Sequence, residues 1–226
     1  MYMDYQTGQK TNKGYLALPP SNTGPGILIL HAWWGLNEFF VDLCDRLARE
    51  GFVALAPDLY DGSVASSIEE AKTLLQRLDS EATRQKVLQA LDALQQHPAV
   101  QGNTVGALGC SMGASWTLQL STLRPEQIAA AVLFYGVDEV DFTAARCAYL
   151  GHFAENDVWD PVEQARIMEA DMRAAGREVT FYVYPDVGHW FFEANQPEAY
   201  SAGAAHLAWD RTVEFLNRHL REGQGR

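Results

Sequence analysis

The sequence predicts an α/β protein: a mainly parallel sheet flanked by helices on both faces. Seven short apolar runs alternate with stretches of helical period, the pattern of strand–helix–strand units. Most runs are continuously apolar rather than alternating, as expected of strands covered on both faces. Apolar residues make up 47% of the 226 and charged residues 20%, enough for a sizeable core and too apolar for disorder.

In chain order, the first strand is expected over 15–18, and the Gly/Pro-rich 22–26 reads as a turn into a second strand over 27–30. Phe39, Leu43 and Leu47 recur every four residues, with Gly51 placed to end that helix. A strand follows over 52–56. Val87, Leu91 and Leu94 form a helical stripe that stops before His97-Pro98, because proline disfavours helix in the residue before it. The strand 104–108 runs into a helix over 114–123, and strands 129–135 and 147–153 come next. Val162, Ala165, Met168 and Met172 form a stripe opened by Pro161 and closed by Gly176. A last strand over 179–184 precedes a helix over about 198–220, with the polar tail 221–226 expected to fray. Without a composition break, repeat or low-complexity linker, residues 1–226 read as one domain.

Charge narrows the partners. Seventeen Lys and Arg face 29 Asp and Glu, for a net charge of −12. Such a surface repels nucleic-acid phosphates and anionic lipid headgroups. The start, Met1-Tyr2-Met3-Asp4-Tyr5-Gln6, lacks the basic and apolar regions of a signal peptide, and no apolar run reaches spanning length. Three cysteines, Cys44, Cys110 and Cys147, are an odd count without metal spacing. The expectation is a soluble, cytoplasmic protein, a monomer or weak dimer, with no metal or cofactor, no nucleic-acid partner and no membrane partner.

Chemistry concentrates in Gly109-Cys110-Ser111-Met112-Gly113. This is G-x-S-x-G between a strand and a helix, the setting in which a serine is held on a sharp, strained corner. The following helix aims its N-terminus at developing negative charge. The plainer reading is a Gly-rich turn with a serine capping the helix. Cys110 competes as the intrinsically stronger nucleophile, but at such a corner only the central residue points into the cleft, which favours Ser111.

A hydroxyl needs an imidazole to take its proton. His97, His206 and His219 fall on helices and read as surface or packing residues; His152 lies in a strand and His31 ends one. His189 sits in the loop Tyr184-Pro185-Asp186-Val187-Gly188-His189 just past the last strand. Loops at the carboxyl ends of parallel strands share one edge, so His189 and Ser111 are expected together. The loop after the preceding strand offers Glu155, Asp157 and Asp160. Asp160 precedes Pro161 and is placed to cap a helix; Asp157 has no such duty. The order Ser111, Asp157, His189 is that of α/β-hydrolases. Oxyanion donors are expected from the amides of Met112 and Trp33. Trp34, Trp159 and Trp190, with Phe39 and Phe191, are candidates for an apolar pocket or for core. Glu38, Glu155 and Glu193 read as an acidic rim or as solvated side chains.

His31-Ala32-Trp33-Trp34-Gly35-Leu36-Asn37, Pro57-Asp58-Leu59-Tyr60, the Ser111 pentapeptide and Gly188-His189 together resemble the dienelactone hydrolase family over about residues 13–220. The resemblance implies a compact α/β-hydrolase domain without a large cap, and ester or lactone hydrolysis. It also supports Asp157 and His189 as partners of Ser111. Well-known members carry cysteine where Ser111 stands and a thiol-activating glutamate where this chain has Ala32. They also bind a substrate carboxylate with arginines, one at the position of Glu193, which as an anion would repel it.

The expected function is therefore a serine-dependent hydrolase of carboxylic esters or lactones. A thioesterase or peptidase is a variant of the same chemistry. A binding or regulatory protein on a hydrolase scaffold is the alternative from another class.

Overall fold

The computed structural model describes residues 1–7 and 10–221. Eight strands form one sheet: β1 (Tyr2–Thr7), β2 (Lys10–Ala17), β3 (Gly24–Leu30), β4 (Val53–Pro57), β5 (Val100–Cys110), β6 (Ile128–Phe134), β7 (Ala148–Ala154) and β8 (Val179–Tyr184). Their order is β1-β2-β4-β3-β5-β6-β7-β8. From β4 to β8 every pairing is parallel, while β1 and β2 add an antiparallel edge. The chain winds outward from β3 to β4, then returns to lay β5 on the other side of β3. Such a reversal opens a crevice at the carboxyl ends of the two strands.

Six helices cover the sheet: α1 (Glu38–Arg49), α2 (Ile68–Arg77), α3 (Ser80–Gln96), α4 (Met112–Leu123), α5 (Val162–Ala174) and α6 (Ala202–Leu220). Successive strand residues face opposite layers. Ile27 and Ile29 pack with Phe40, Leu43 and Leu47 of α1 and Leu216 of α6. Leu28 and Leu30 pack with Leu91 of α3, Leu118 of α4 and Met168 of α5. Two buried layers follow from one alternation, and the α/β expectation holds.

Boundaries differ where the signal was local. Gly51 (φ 90°) and Gly176 (φ 75°) end α1 and α5 as expected, and α3 stops at His97. The expected turn over 22–26 is shorter, since Asn22 (φ 60°) makes the turn and β3 starts at Gly24. β4 begins one residue after Phe52, and α6 begins at Ala202 rather than near 198. β1 was not expected, and β2 begins five residues before 15. Neither was α2: Ala71 is its one fully buried residue, so it shows no apolar stripe. Its start is nevertheless written in Ser67, whose hydroxyl accepts from Glu70 N, while Glu70 Oε2 accepts from the Ser66 amide. Of the expected frayed tail, Arg221 is tied to the Glu50 carbonyl at 2.8 Å; 222–226 lie outside the described residues. Among the described residues no helix is long and apolar enough to cross a membrane.

One polar device crosses the core. His152 on β7 is fully buried and places Nδ1 2.9 Å from the Tyr184 hydroxyl and Nε2 3.0 Å from Thr212 Oγ1. Burial, with Arg211 nearby, lowers its pKa to about 3, so the ring is neutral and both nitrogens have a partner. Thr212→Val keeps the volume and strips one partner from a buried imidazole. We expect a loss of about 1–3 kcal/mol, read by urea unfolding at pH 7; an unchanged midpoint would mean the network contributes nothing.

Candidate active site

Ser111 sits between β5 and α4 in the left-handed region, at φ 52° and ψ −117°. A non-glycine residue there stores strain that its surroundings must hold. Its amide donates to the Phe134 carbonyl at 2.9 Å, and its own carbonyl accepts from Ala114 N at 2.8 Å. The flanking glycines permit the corner. A Cβ on Gly113 would lie 1.9 Å from the Leu30 carbonyl oxygen, and one on Gly109 would lie 2.0 Å from the Gly113 oxygen. Any side chain at either position would push the start of α4 off the strand ends.

The three expected side chains meet. His189 Nε2 is 2.9 Å from Ser111 Oγ, and Nδ1 is 2.7 Å from Asp157 Oδ2. Asp157 Oδ1 accepts from the amides of Trp159 (2.9 Å) and Asp160 (3.0 Å). The carboxylate is therefore held by its own turn while it faces the imidazole. The two loops are also joined to each other: Asn156 N donates to Val187 O at 3.0 Å and Asp186 N to Glu155 Oε2 at 3.1 Å.

The loop after β3 is fixed by His31. Leu59 N donates to Nε2 at 3.1 Å, so Nδ1 carries the hydrogen and donates to Ala32 O at 2.7 Å. Burial lowers the His31 pKa to about 4, keeping the ring in that neutral form. The Ala32 carbonyl also accepts from Gly35 N at 3.2 Å. That carbonyl and the Trp33 N–H share one peptide plane, so the orientation of a candidate oxyanion donor is fixed. Met112, the other candidate, opens α4, where helix geometry leaves the amide without an intrahelical partner. Its Sδ accepts from the Tyr60 hydroxyl at 3.3 Å.

The aromatic candidates divide. Phe39 and Phe191 are core residues, the second of the two roles expected for them. Trp33, Trp34, Trp159 and Trp190 form one cluster, with Trp33 ring centroids 5.1 Å from Trp159, 5.6 Å from Trp34 and 6.1 Å from Trp190. Trp33 and Trp34 are buried, Trp190 is partly buried and Trp159 is 42% exposed. Trp159 is thus the cluster's open face.

The acidic residues need two corrections. Glu38 and Glu155 are exposed, but Glu193 is fully buried and belongs to no rim. Its Oε1 accepts from the Tyr135 hydroxyl at 2.9 Å, and burial raises its pKa to about 8. Neutral at pH 7, it repels no carboxylate. Asp160 does not cap α5: Pro161 holds the cap position, without a side-chain bond. Burial and the neighbouring Asp157 raise Asp160 to about 6, with His189 opposing. The thiol of Cys110 is fully buried, its pKa pushed well up by burial and then by Glu193, which leaves it unreactive. Sequence reasoning missed Tyr135 and misplaced Glu193. The signal for the latter was an acid directly after Phe191-Phe192, inside an apolar run. Among the described residues no group of three or more His, Cys, Asp or Glu is placed to hold a metal ion.

A doubly wound sheet, a serine at its strained strand-to-helix corner and a histidine–carboxylate pair behind it define an α/β-hydrolase. A structure described as a dienelactone hydrolase-like promiscuous phosphotriesterase from metagenomic libraries has a similar fold: it superposes with TM-score 0.86 at 22% identity, covering 97% of each chain. The model of the dienelactone hydrolase family matches residues 13–220, and the chain belongs to that family, a family of ester and lactone hydrolases. Protein usf of Aquifex pyrophilus is 29% identical over 219 residues, 92% of this chain and 94% of that one. A protein of Yersinia pestis named "Putative carboxymethylenebutenolidase" is 30% identical over 226 residues, 91% of this chain and 83% of its own.

The buried groups set a stability profile. His31 and His152 have lowered folded pKa values, so the unfolded chain takes up protons first and stability falls as pH drops below about 6.5. Glu193 and Asp160 have raised values, so the folded chain keeps protons the unfolded chain releases. Their stabilisation is full at low pH and fades as pH rises toward 8 and 6 respectively. The slopes oppose each other between about pH 4.5 and 6, and above 6.5 only that of Glu193 remains, at about 1.4 kcal/mol per pH unit. Stability should peak near pH 6–6.5 and decline toward pH 8 in urea titrations; a midpoint rising over that interval contradicts the buried, neutral Glu193.

Proposed function

We propose that this protein is a serine hydrolase of uncharged carboxylic esters or lactones, working through an acyl-enzyme on Ser111, with residues 1–226 acting as a single domain. The observation that carries it is Ser111 Oγ in hydrogen-bond reach of His189 Nε2 at 2.9 Å, with Asp157 on the other ring nitrogen at 2.7 Å. Asp157 accepts the Nδ1 hydrogen, which leaves Nε2 unprotonated and facing the hydroxyl. As Oγ attacks the acyl carbon, Nε2 takes its proton, and the imidazolium forms beside a carboxylate. The carbonyl oxygen becomes an oxyanion, received by the amides of Met112 and Trp33. Collapse of the tetrahedral species breaks the bond to the leaving oxygen, which takes the proton from Nε2. Water then gives a proton to the same nitrogen, attacks the acyl carbon and releases the acid, returning the proton to Oγ.

Substrate class follows from what lines the entrance. Trp159 and Trp190 offer aromatic surface, suited to an apolar acyl or alcohol group. The position where family members place a carboxylate-binding arginine holds the buried Glu193, so nothing there would bind an anionic substrate. The relative named for carboxymethylenebutenolide chemistry supports a lactone ring among the substrates, while the carboxylate in that name would meet no cation at position 193 here.

The test is hydrolysis of a short p-nitrophenyl ester by wild type, Ser111→Ala and Cys110→Ala, with folding checked by circular dichroism. Ser111→Ala should lose about 10⁴-fold or more in kcat, while Cys110→Ala should stay within about tenfold of wild type. A serine-directed fluorophosphonate should label wild type and not Ser111→Ala. Collapse of Cys110→Ala alone would transfer the nucleophile to the thiol. A wild type that neither turns over nor labels would leave a binding role on a hydrolase scaffold.

A further inference from the structure

We propose that Glu193, acting through Tyr135, is a positioning residue that holds the His189 turn against the strand end carrying Ser111. The inference rests on reading Ser111 and His189 as nucleophile and base, and assigns a job to a buried acid that the mechanism does not use.

Glu193 lies four residues past His189 on the same segment, with its amide bonded to the Trp190 carbonyl at 2.9 Å. Its side chain leaves that segment and meets the end of β6, where Oε1 accepts from the Tyr135 hydroxyl at 2.9 Å. The ring of Tyr135 lies 4.8 Å from that of His189, centroid to centroid. Tyr135 is itself in a strained left-handed conformation, φ 36°, held by its amide bond to the His152 carbonyl at 2.8 Å. Its hydroxyl also lies near the buried thiol of Cys110, the residue immediately before Ser111. Tyr135 and Glu193 thus form one buried polar chain, beside Cys110, that joins the end of β6 to the segment carrying His189.

This chain tolerates no charge. Glu193 Oε2 has no hydrogen-bond partner, which a protonated carboxyl survives far better than a carboxylate. The groups facing Glu193 are Tyr135 from β6 and Cys110 from β5. Next to them lie His189 on its own turn, His152 of β7 against Phe134, and Arg46 of α1 over the Phe192 ring at 5.8 Å. Among the described residues no cation is ion-paired with Glu193. Burial keeps it protonated to about pH 8. Above that, hydroxide removes the proton, and the anion must draw in water or leave the site, taking the His189 turn with it.

The experiment compares wild type, Glu193→Gln and Glu193→Ala. Glutamine reproduces the neutral acid and cannot ionise. Wild-type kcat should fall above about pH 8 with KM within twofold, and Glu193→Gln should abolish that fall. Glu193→Ala should lose tenfold or more in kcat at pH 7, with the conservative variant restoring most of it. A second readout needs no substrate: the downfield proton resonance of His189 Nδ1–H, identified by its loss in His189→Asn. It should broaden over the same pH range in wild type and persist in Glu193→Gln. The proposal is overturned if Glu193→Gln keeps the wild-type alkaline change, or if folded Glu193→Ala matches wild type at pH 7. If wild type hydrolyses no ester, the resonance still decides the positioning role separately from the function.

Discussion

Everything at the carboxyl edge of this sheet depends on how closely α4 can begin above the ends of β3 and β5. A Cβ on Gly113 would stand 1.9 Å from the Leu30 carbonyl oxygen, so the contact exists only because no side chain is present. That approach turns the chain sharply enough to leave Ser111 at φ 52°. The cost of holding a serine there is on the order of 1–3 kcal/mol, offset by the parallel pairing of β5 with β3 and β6. The strain has a consequence for chemistry. It lifts one hydroxyl out of the turn and leaves the amide that follows it at a helix N-terminus, where partial positive charge accumulates.

The surrounding loops are then organised by neutral polar groups rather than by ion pairs. His31 ties the loop after β3 to Leu59 and fixes the Ala32–Trp33 peptide. Tyr135 and Glu193 tie the end of β6 to the turn after β8. Each is buried, and each is shifted toward its uncharged form, His31 downward and Glu193 upward. Neutral hydrogen bonds orient their partners without adding a strong field beside the Ser111–His189 pair. A buried ion pair in either place would carry a desolvation penalty of several kcal/mol per ion.

How much of this was legible in the sequence depends on the range of the signal. Strands β3, β4, β6 and β7 and the second half of β5 announce themselves because both faces are buried, which makes each a continuous apolar run; β8, at the sheet edge, is legible from its β-branched and aromatic residues instead. The Ser111–His189–Asp157 set was legible because parallel strands deliver all their carboxyl-end loops to one edge, so chain order was enough. β1 escaped notice because an antiparallel edge strand is half polar, and α2 because it buries almost nothing. Asp160 and Glu193 were misread for a different reason. Their surroundings are built by residues distant in sequence, Asp157 and His189 for one and Tyr135 for the other, and a local reading assigned them a cap and a rim.

The departures from the well-known pattern of the family make physical sense as a set. A thiol nucleophile profits from a nearby acid and from cations, because the thiolate it must become is an anion. A serine nucleophile is not ionised before attack; in the proposed reaction it gives its proton to the base while the bond to carbon forms. Ala32 is fully buried where the resemblance places the activating glutamate, and no thiol there needs one. The remaining thiol, Cys110, is one residue earlier on the strand, pointing into the core and held protonated. At the position of the family's arginine stands an acid that is neutral at pH 7 and faces inward to Tyr135. A cation there could bind a substrate carboxylate; the buried acid is bonded to Tyr135 instead. At this edge of the sheet, uncharged bonds aimed at the protein's own loops stand where the family resemblance implies charges aimed at the substrate, an arrangement consistent with the proposed uncharged ester.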